Sequence, residues 1–191
     1  SFLTTSSSMY LGAQDCSNYD SGAYTGEVSA SMLLDNKCNF CIVGHSERRQ
    51  IFKQTNEDVK IKAENLINKG IIPIICIGET LEEKNQGLTE EVLRNQIINS
   101  LPNKSSADTI ILAYEPIWAI GTGITPSLEE IVNIHSFLKN NIEKFQDYKI
   151  IYGGSVNSKN AKEIMTAKNV DGVLIGGSSL NSAEFIKIIE F

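Results

Sequence analysis

Six short apolar runs rich in β-branched residues punctuate the chain: MYLGAQD (9–15), FCIVG (40–44), IIPIICIG (71–78), TIILAYE (109–115), KIIYGG (149–154) and GVLIGG (172–177). Each ends near a glycine or a polar residue, and each is apolar almost throughout, the pattern of a strand covered on both faces. The segments between them carry helical spacing. In TNEDVKIKAENLINKG, the side chains of Val59, Ile61, Ala63, Leu66 and Ile67 fall near one another on a helix that Gly70 closes. TPSLEEIVNIHSFLKNNIEKF predicts a second helix opening at Thr125 and Pro126, with Leu128, Ile131, Ile134 and Leu138 at helical spacing and His135 exposed or at an interface. SVNSKNAKEIMTAKN and SSLNSAEFIKIIEF predict shorter ones.

Strand and helix in alternation predict an α/β fold built from repeated βαβ units around a parallel sheet. Two architectures compete, an open doubly wound sheet and a closed (β/α)8 barrel, and both gather ligands at the C-terminal ends of the strands. No linker or low-complexity stretch interrupts the pattern, so residues 1–191 read as one domain.

Composition narrows the functions. With a net charge of -6 and no basic stripe, nucleic acid and anionic membrane surfaces are poor partners, while a small anion held by backbone donors remains open. The longest apolar run is too short to cross a bilayer and the start SFLTTSSSMY is unlike a signal peptide, so the expectation is a cytoplasmic protein. Cys38 and Cys41 form a lone C-x-x-C, which a redox pair or half of a zinc site would share. Without a second pair or a nearby histidine, the four cysteines read as buried free thiols.

The polar residues at the strand ends are Gln14 and Asp15, His45 and Glu47, Glu79, Glu115, Ser155, and the glycines Gly176 and Gly177. Pro116 biases Glu115 to an extended backbone, and desolvation beside Trp118 and Ile120 would make its carboxylate a better general base; a structural carboxylate paired with a lysine or arginine is the alternative. His45 precedes a helix opening at Ser46, where the positive end of the helix dipole favours a neutral ring that can donate to a substrate oxygen; a purely structural histidine is the alternative. Glu47, Arg48 and Arg49 read equally well as first-turn charges with ion-pair partners. The glycines of AIGTGITP, YGGS and IGGSS offer backbone N–H groups to an anion. Dinucleotide, P-loop and serine-hydrolase motifs are absent.

LGAQDCS, GAYTGEVS, CIVGHSERR, ICIGET, AYEPIWAIGTG, IIYGGSV and DGVLIGGSSL stand in the order and approximate spacing found in the triosephosphate isomerases, and from about Tyr10 onward the chain resembles that family. The resemblance implies a (β/α)8 barrel interconverting dihydroxyacetone phosphate and glyceraldehyde 3-phosphate without metal or organic cofactor. It implies Glu115 as the base that moves a proton between adjacent carbons, His45 as the neutral electrophile on the enediolate oxygens, and Glu47 as a second carboxylate near the site. Gly121, Ser155, Gly176 and Gly177 match the backbone that grips phosphate, Trp118 to Gly123 the closing lid, and Thr25 the loop that reaches a partner subunit in a homodimer.

Two departures accompany the match. GTGITPS replaces the more usual basic hinge after the lid, and nothing before Met9 resembles the family's opening strand with its active-site Asn and Lys. Against a typical barrel of about 250 residues, the expectation is six strands, with roughly the first two βα units absent and little activity in the 191-residue chain alone. A truncated, non-catalytic relative serving as a phosphate-binding or assembly module is the alternative.

Overall fold

The β-branched runs do form strands, each followed by at least one helix. In the computed structural model, residues 9–141 and 147–190 are described. Residues 142–146, the end of the second anticipated helix, lie outside them. Contacts divide the chain into two compact units, one comprising the chain up to Cys76 with Ile98–Ile110, the other Ile77–Ile97 with the chain from Ile111 onward.

The first unit contains β1 (Gly12–Ala13), α1 (Ala30–Asp35), β2 (Phe40–Val43), α2 (Ser46–Ile51), α3 (Asn56–Asn68) and β3 (Ile72–Ile77), whose last residue belongs to the second unit. The strands are parallel, with Gly12 opposite Phe40 and Phe40 opposite Ile72. Thr55 and Asp58 close a reciprocal capping box at the start of α3, and Gly70 follows its end with a left-handed φ of 73°. Val59, Ala63 and Leu66 carry the apolar face of α3 into the core with Cys41, Val43 and Ile75, all fully buried. Ile61 and Ile67 remain half-buried at its edge.

The second unit contains α4 (Leu81–Asn85), most of α5 (Thr89–Ser100), β4 (Ile111–Tyr114), α6 (Leu128–Asn141), β5 (Lys149–Tyr152), α7 (Ala161–Met165), β6 (Gly172–Val173) and α8 (Ser182–Ile189). Its strands are also parallel, Ile111 opposite Lys149 and Ile151 opposite Gly172. Leu112, Ala113, Tyr114, Ile150 and Tyr152 are buried, as strands covered on both faces require.

Two expectations about α6 need correction. The helix starts at Leu128, because Ser127 caps it: Ser127 Oγ accepts from Glu130 N and Ser127 N donates to Glu130 Oε2, at 3.2 and 2.8 Å. Thr125 and Pro126 lie before that cap. His135 is fully buried, not exposed, with Nδ1 3.0 Å from the carbonyl oxygen of Asn169. Burial lowers its pKa to about 4. No helix among the described residues is long and apolar enough to cross a membrane, and all four cysteines are free and buried.

Candidate active site

Parallel strands place their following loops at their C-terminal ends, and the candidate side chains lie there. In the first unit, His45 occupies the N-cap of α2, with its Nδ1 accepting from the backbone N–H of Glu47 at 3.2 Å. A backbone N–H can only donate, so Nδ1 holds a lone pair and the ring proton belongs on Nε2. Burial pushes the His45 pKa below its usual value, the nearby Glu47 carboxylate opposing that shift. Glu47 is exposed on the first turn of α2.

The neighbouring charges are structural. Arg49 donates to Gly44 O and Asn56 Oδ1, both at 2.7 Å, and so ties the residue before His45 to α3. Asp15 collects Arg48 at 2.7 Å, the buried Lys62 at 2.8 Å and Gln54 at 3.0 Å. Its carboxylate is engaged within the fold. Further along the chain, Thr25 sits at the exposed tip of a loop whose base is joined by Ser17 N donating to Val28 O at 2.8 Å. Stacked rings of Tyr19 and Tyr24, 3.9 Å apart, stiffen that loop.

In the second unit, Glu115 follows β4 and is 2% exposed. Its backbone N–H donates to Ile77 O at 2.8 Å, and its carbonyl packs so closely on Gly78 that a Cβ there would collide. Gly153 makes room for its side chain: a Cβ on Gly153 would stand 2.7 Å from Glu115 Cγ and 3.2 Å from Oε1. The carboxylate is thus boxed by backbone as well as buried.

Past Pro116, residues Ile117–Ala119 form a 3-10 turn that leads into the exposed Gly121 and Gly123, both with left-handed φ. Ser155, after β5, donates its hydroxyl to Ala119 O at 2.6 Å, which brings two expected site segments together. Gly176 and Gly177 are exposed after β6, and Ser178 Oγ beside them donates to Val156 O at 2.7 Å. The strand ends carrying Glu115, Ser155 and the glycine pair are therefore joined by direct bonds from loop to loop.

Glu79 has a partnership that strand-end position alone did not indicate. Its buried Oε1 accepts from the Trp118 indole at 2.8 Å and from Tyr114 OH at 3.2 Å. Burial raises its pKa, and those two bonds only partly offset the shift. Lys84, which belongs to no motif, lies 3.6 Å from the Trp118 ring centroid.

A family model described as triosephosphate isomerase matches residues 2–191, so the likeness begins earlier than Tyr10. A relative from Francisella philomiragia named triosephosphate isomerase is 45% identical over 94% of this chain and 74% of its own length. One of the same name from Herminiimonas arsenicoxydans is 46% identical over 98% of this chain and 78% of its own. The crystal structure of triosephosphate isomerase from Bartonella henselae superposes with a TM-score of 0.87 at 35% identity, covering 94% of this chain and 76% of that one. That likeness bears out the (β/α)8 expectation in partial form, with six parallel strands among the described residues.

Proposed function

Because the chain belongs to the triosephosphate isomerase family, we propose that Glu115 and His45 divide the proton transfers of its reaction between them. The activity is the interconversion of dihydroxyacetone phosphate and glyceraldehyde 3-phosphate, an intramolecular aldose–ketose isomerisation. The Glu115 carboxylate removes a proton from the carbon beside the substrate carbonyl, leaving an enediolate. It then returns the proton to the neighbouring carbon. His45 donates from Nε2 to the enediolate oxygens, where negative charge develops. Moving one proton between adjacent carbons calls for no metal and no organic cofactor.

The observation that carries this reading is the bond from Glu47 N to His45 Nδ1. It supports a neutral ring with its donor on Nε2, the form an electrophile needs, and this family is a standard example of such pKa tuning. Glu47 acts close by as the second carboxylate. The buried position of Glu115, boxed by Gly78 and Gly153, supports its role as the base.

The phosphate is held by backbone N–H groups at Gly121, Ser155, Gly176 and Gly177, without a cationic side chain from these segments. Residues 118–123 close over the substrate as a lid, shielding the enediolate from water and from loss of phosphate. The whole works as one catalytic domain in a cytoplasmic homodimer in which Thr25 reaches the partner's active site. The exposed Tyr19, Tyr24 and Phe52, which line one depression beside that loop, support an apolar contact there. The non-catalytic alternative has no observation in its favour.

Solvent exchange tests the assignment of the base. Reaction in heavy water should place deuterium on the substrate carbon through Glu115, and Glu115→Gln should abolish it. Deuterium incorporation at the parent's rate in Glu115→Gln would remove Glu115 from the role.

A further inference from the structure

The segment between β3 and α5 touches both ends of the candidate lid, and a single ammonium group makes two of the contacts. Lys84 Nζ lies 3.6 Å from the centroid of the Trp118 ring, at the lid's first turn, and 2.9 Å from Glu130 Oε1, in the first turn of the helix that follows the lid. The other oxygen of Glu130 accepts from Ser127 N and Ser127 Oγ at 2.8 and 3.0 Å, fixing the residue where α6 begins. Five residues before Lys84, Glu79 holds the edge of the same indole at 2.8 Å.

The platform that bears these groups is itself stiff. Thr80 and Glu83 form a reciprocal capping box at the start of α4, with bonds of 2.7 to 3.2 Å. One short helix thus reaches the loop directly at Trp118 and, through Glu130, at Ser127, and the exposed residues 121–124 lie between those points. We propose that Lys84 is a positioning residue for the lid, its ammonium group holding the two hinges in register through Trp118 and Glu130. This rests on the reading of residues 118–123 as a lid.

Lys84 touches no substrate. It acts through the indole, by cation–π attraction that leaves the N–H edge free to bond Glu79, and through the carboxylate that caps α6. Without its charge the Trp118 ring loses its cation–π contact and keeps the Glu79 bond at its edge, and Glu130 loses its tie to α4. A lid so loosened closes less firmly, so the enediolate more often expels phosphate. In that side reaction the enediolate electron pair forms a new carbon–carbon double bond. The bond from C3 to the phosphate oxygen breaks, and its electron pair leaves with inorganic phosphate.

The test compares Lys84→Met, which keeps the apolar stem, with Lys84→Arg, which keeps the charge and the stacking, and with Glu130→Gln, all in the full chain. Two quantities are read: inorganic phosphate released per isomerisation, and the emission of Trp118, the only tryptophan, as 2-phosphoglycolate is added as an unreactive enediolate mimic. Lys84→Met should raise phosphate release per turnover about fivefold to tenfold and weaken the emission response; Lys84→Arg should restore both, and Glu130→Gln should fall between. A Lys84→Met chain that melts lower but partitions and responds like the parent would show a purely structural lysine and overturn the proposal. Failure of Lys84→Arg to rescue would overturn it too. If the parent's own emission ignores the mimic, the lid reading falls and the proposal with it; a responsive parent beside an unchanged Lys84→Met sinks the proposal alone.

Discussion

The backbone N–H of Glu47 donates to Nδ1 of His45 across 3.2 Å, so the histidine's own helix decides which ring nitrogen carries the proton. Protonating Nδ1 would set two donors against each other, and burial opposes the charge as well. At pH 7 the 15N spectrum of His45 should therefore show a neutral ring protonated on Nε2, and the ring should titrate below an ordinary histidine. Imidazolium signals at that pH would contradict the electrophile role.

Gly153 leaves the space that Glu115 fills. Gly153→Ala would bring a methyl group to 2.7 Å from Glu115 Cγ and push the carboxylate aside. A displacement of about an ångström at a proton-transferring group costs about tenfold to a hundredfold in rate. The expected outcome is a fall of that order in kcat, with KM little changed and the circular dichroism spectrum intact.

His135 ties stability to pH. Its folded pKa is lowered to about 4 from 6.5, so between those values the unfolded chain binds the proton and the folded chain does not. Stability is therefore fully present above pH 6.5 and is lost as pH falls toward 4. The loss is about 3 kcal/mol, taking about 1.4 kcal/mol per pH unit. Urea midpoints measured across this range should fall with acid in the parent, and the slope should flatten in His135→Gln.

The buried thiols give a simple count. Cys16, Cys38, Cys41 and Cys76 should react slowly with a thiol reagent in the native chain and quickly after denaturation, all four together. Rapid reaction of Cys38 and Cys41 in the folded chain would revive the redox-pair reading.

Much of this was legible in the sequence because strands covered on both faces announce themselves. Each of the six apolar runs contains its strand, and the polar residues after them are the ones found at the strand ends. The misses share a cause. His135 lies four residues after Ile131 and three before Leu138, hence on the apolar face of α6, but one polar residue among hydrophobics does not reveal that its Nδ1 meets a carbonyl from another segment. Pro126 drew the helix start too early, since Ser127 and Glu130 supply the stronger local signal. Glu79 and Lys84 were beyond reach, because their bonds to Trp118 span 39 and 34 residues. The same distance hid the reason that position 153 is glycine, 38 residues from Glu115.

The most direct measurement is a coupled assay of glyceraldehyde 3-phosphate isomerisation, run on the protein and on its Glu115→Gln variant. The role of Glu115 as the base predicts a fall on the order of a thousandfold in Glu115→Gln. Isomerisation that survives Glu115→Gln in a folded chain would contradict it.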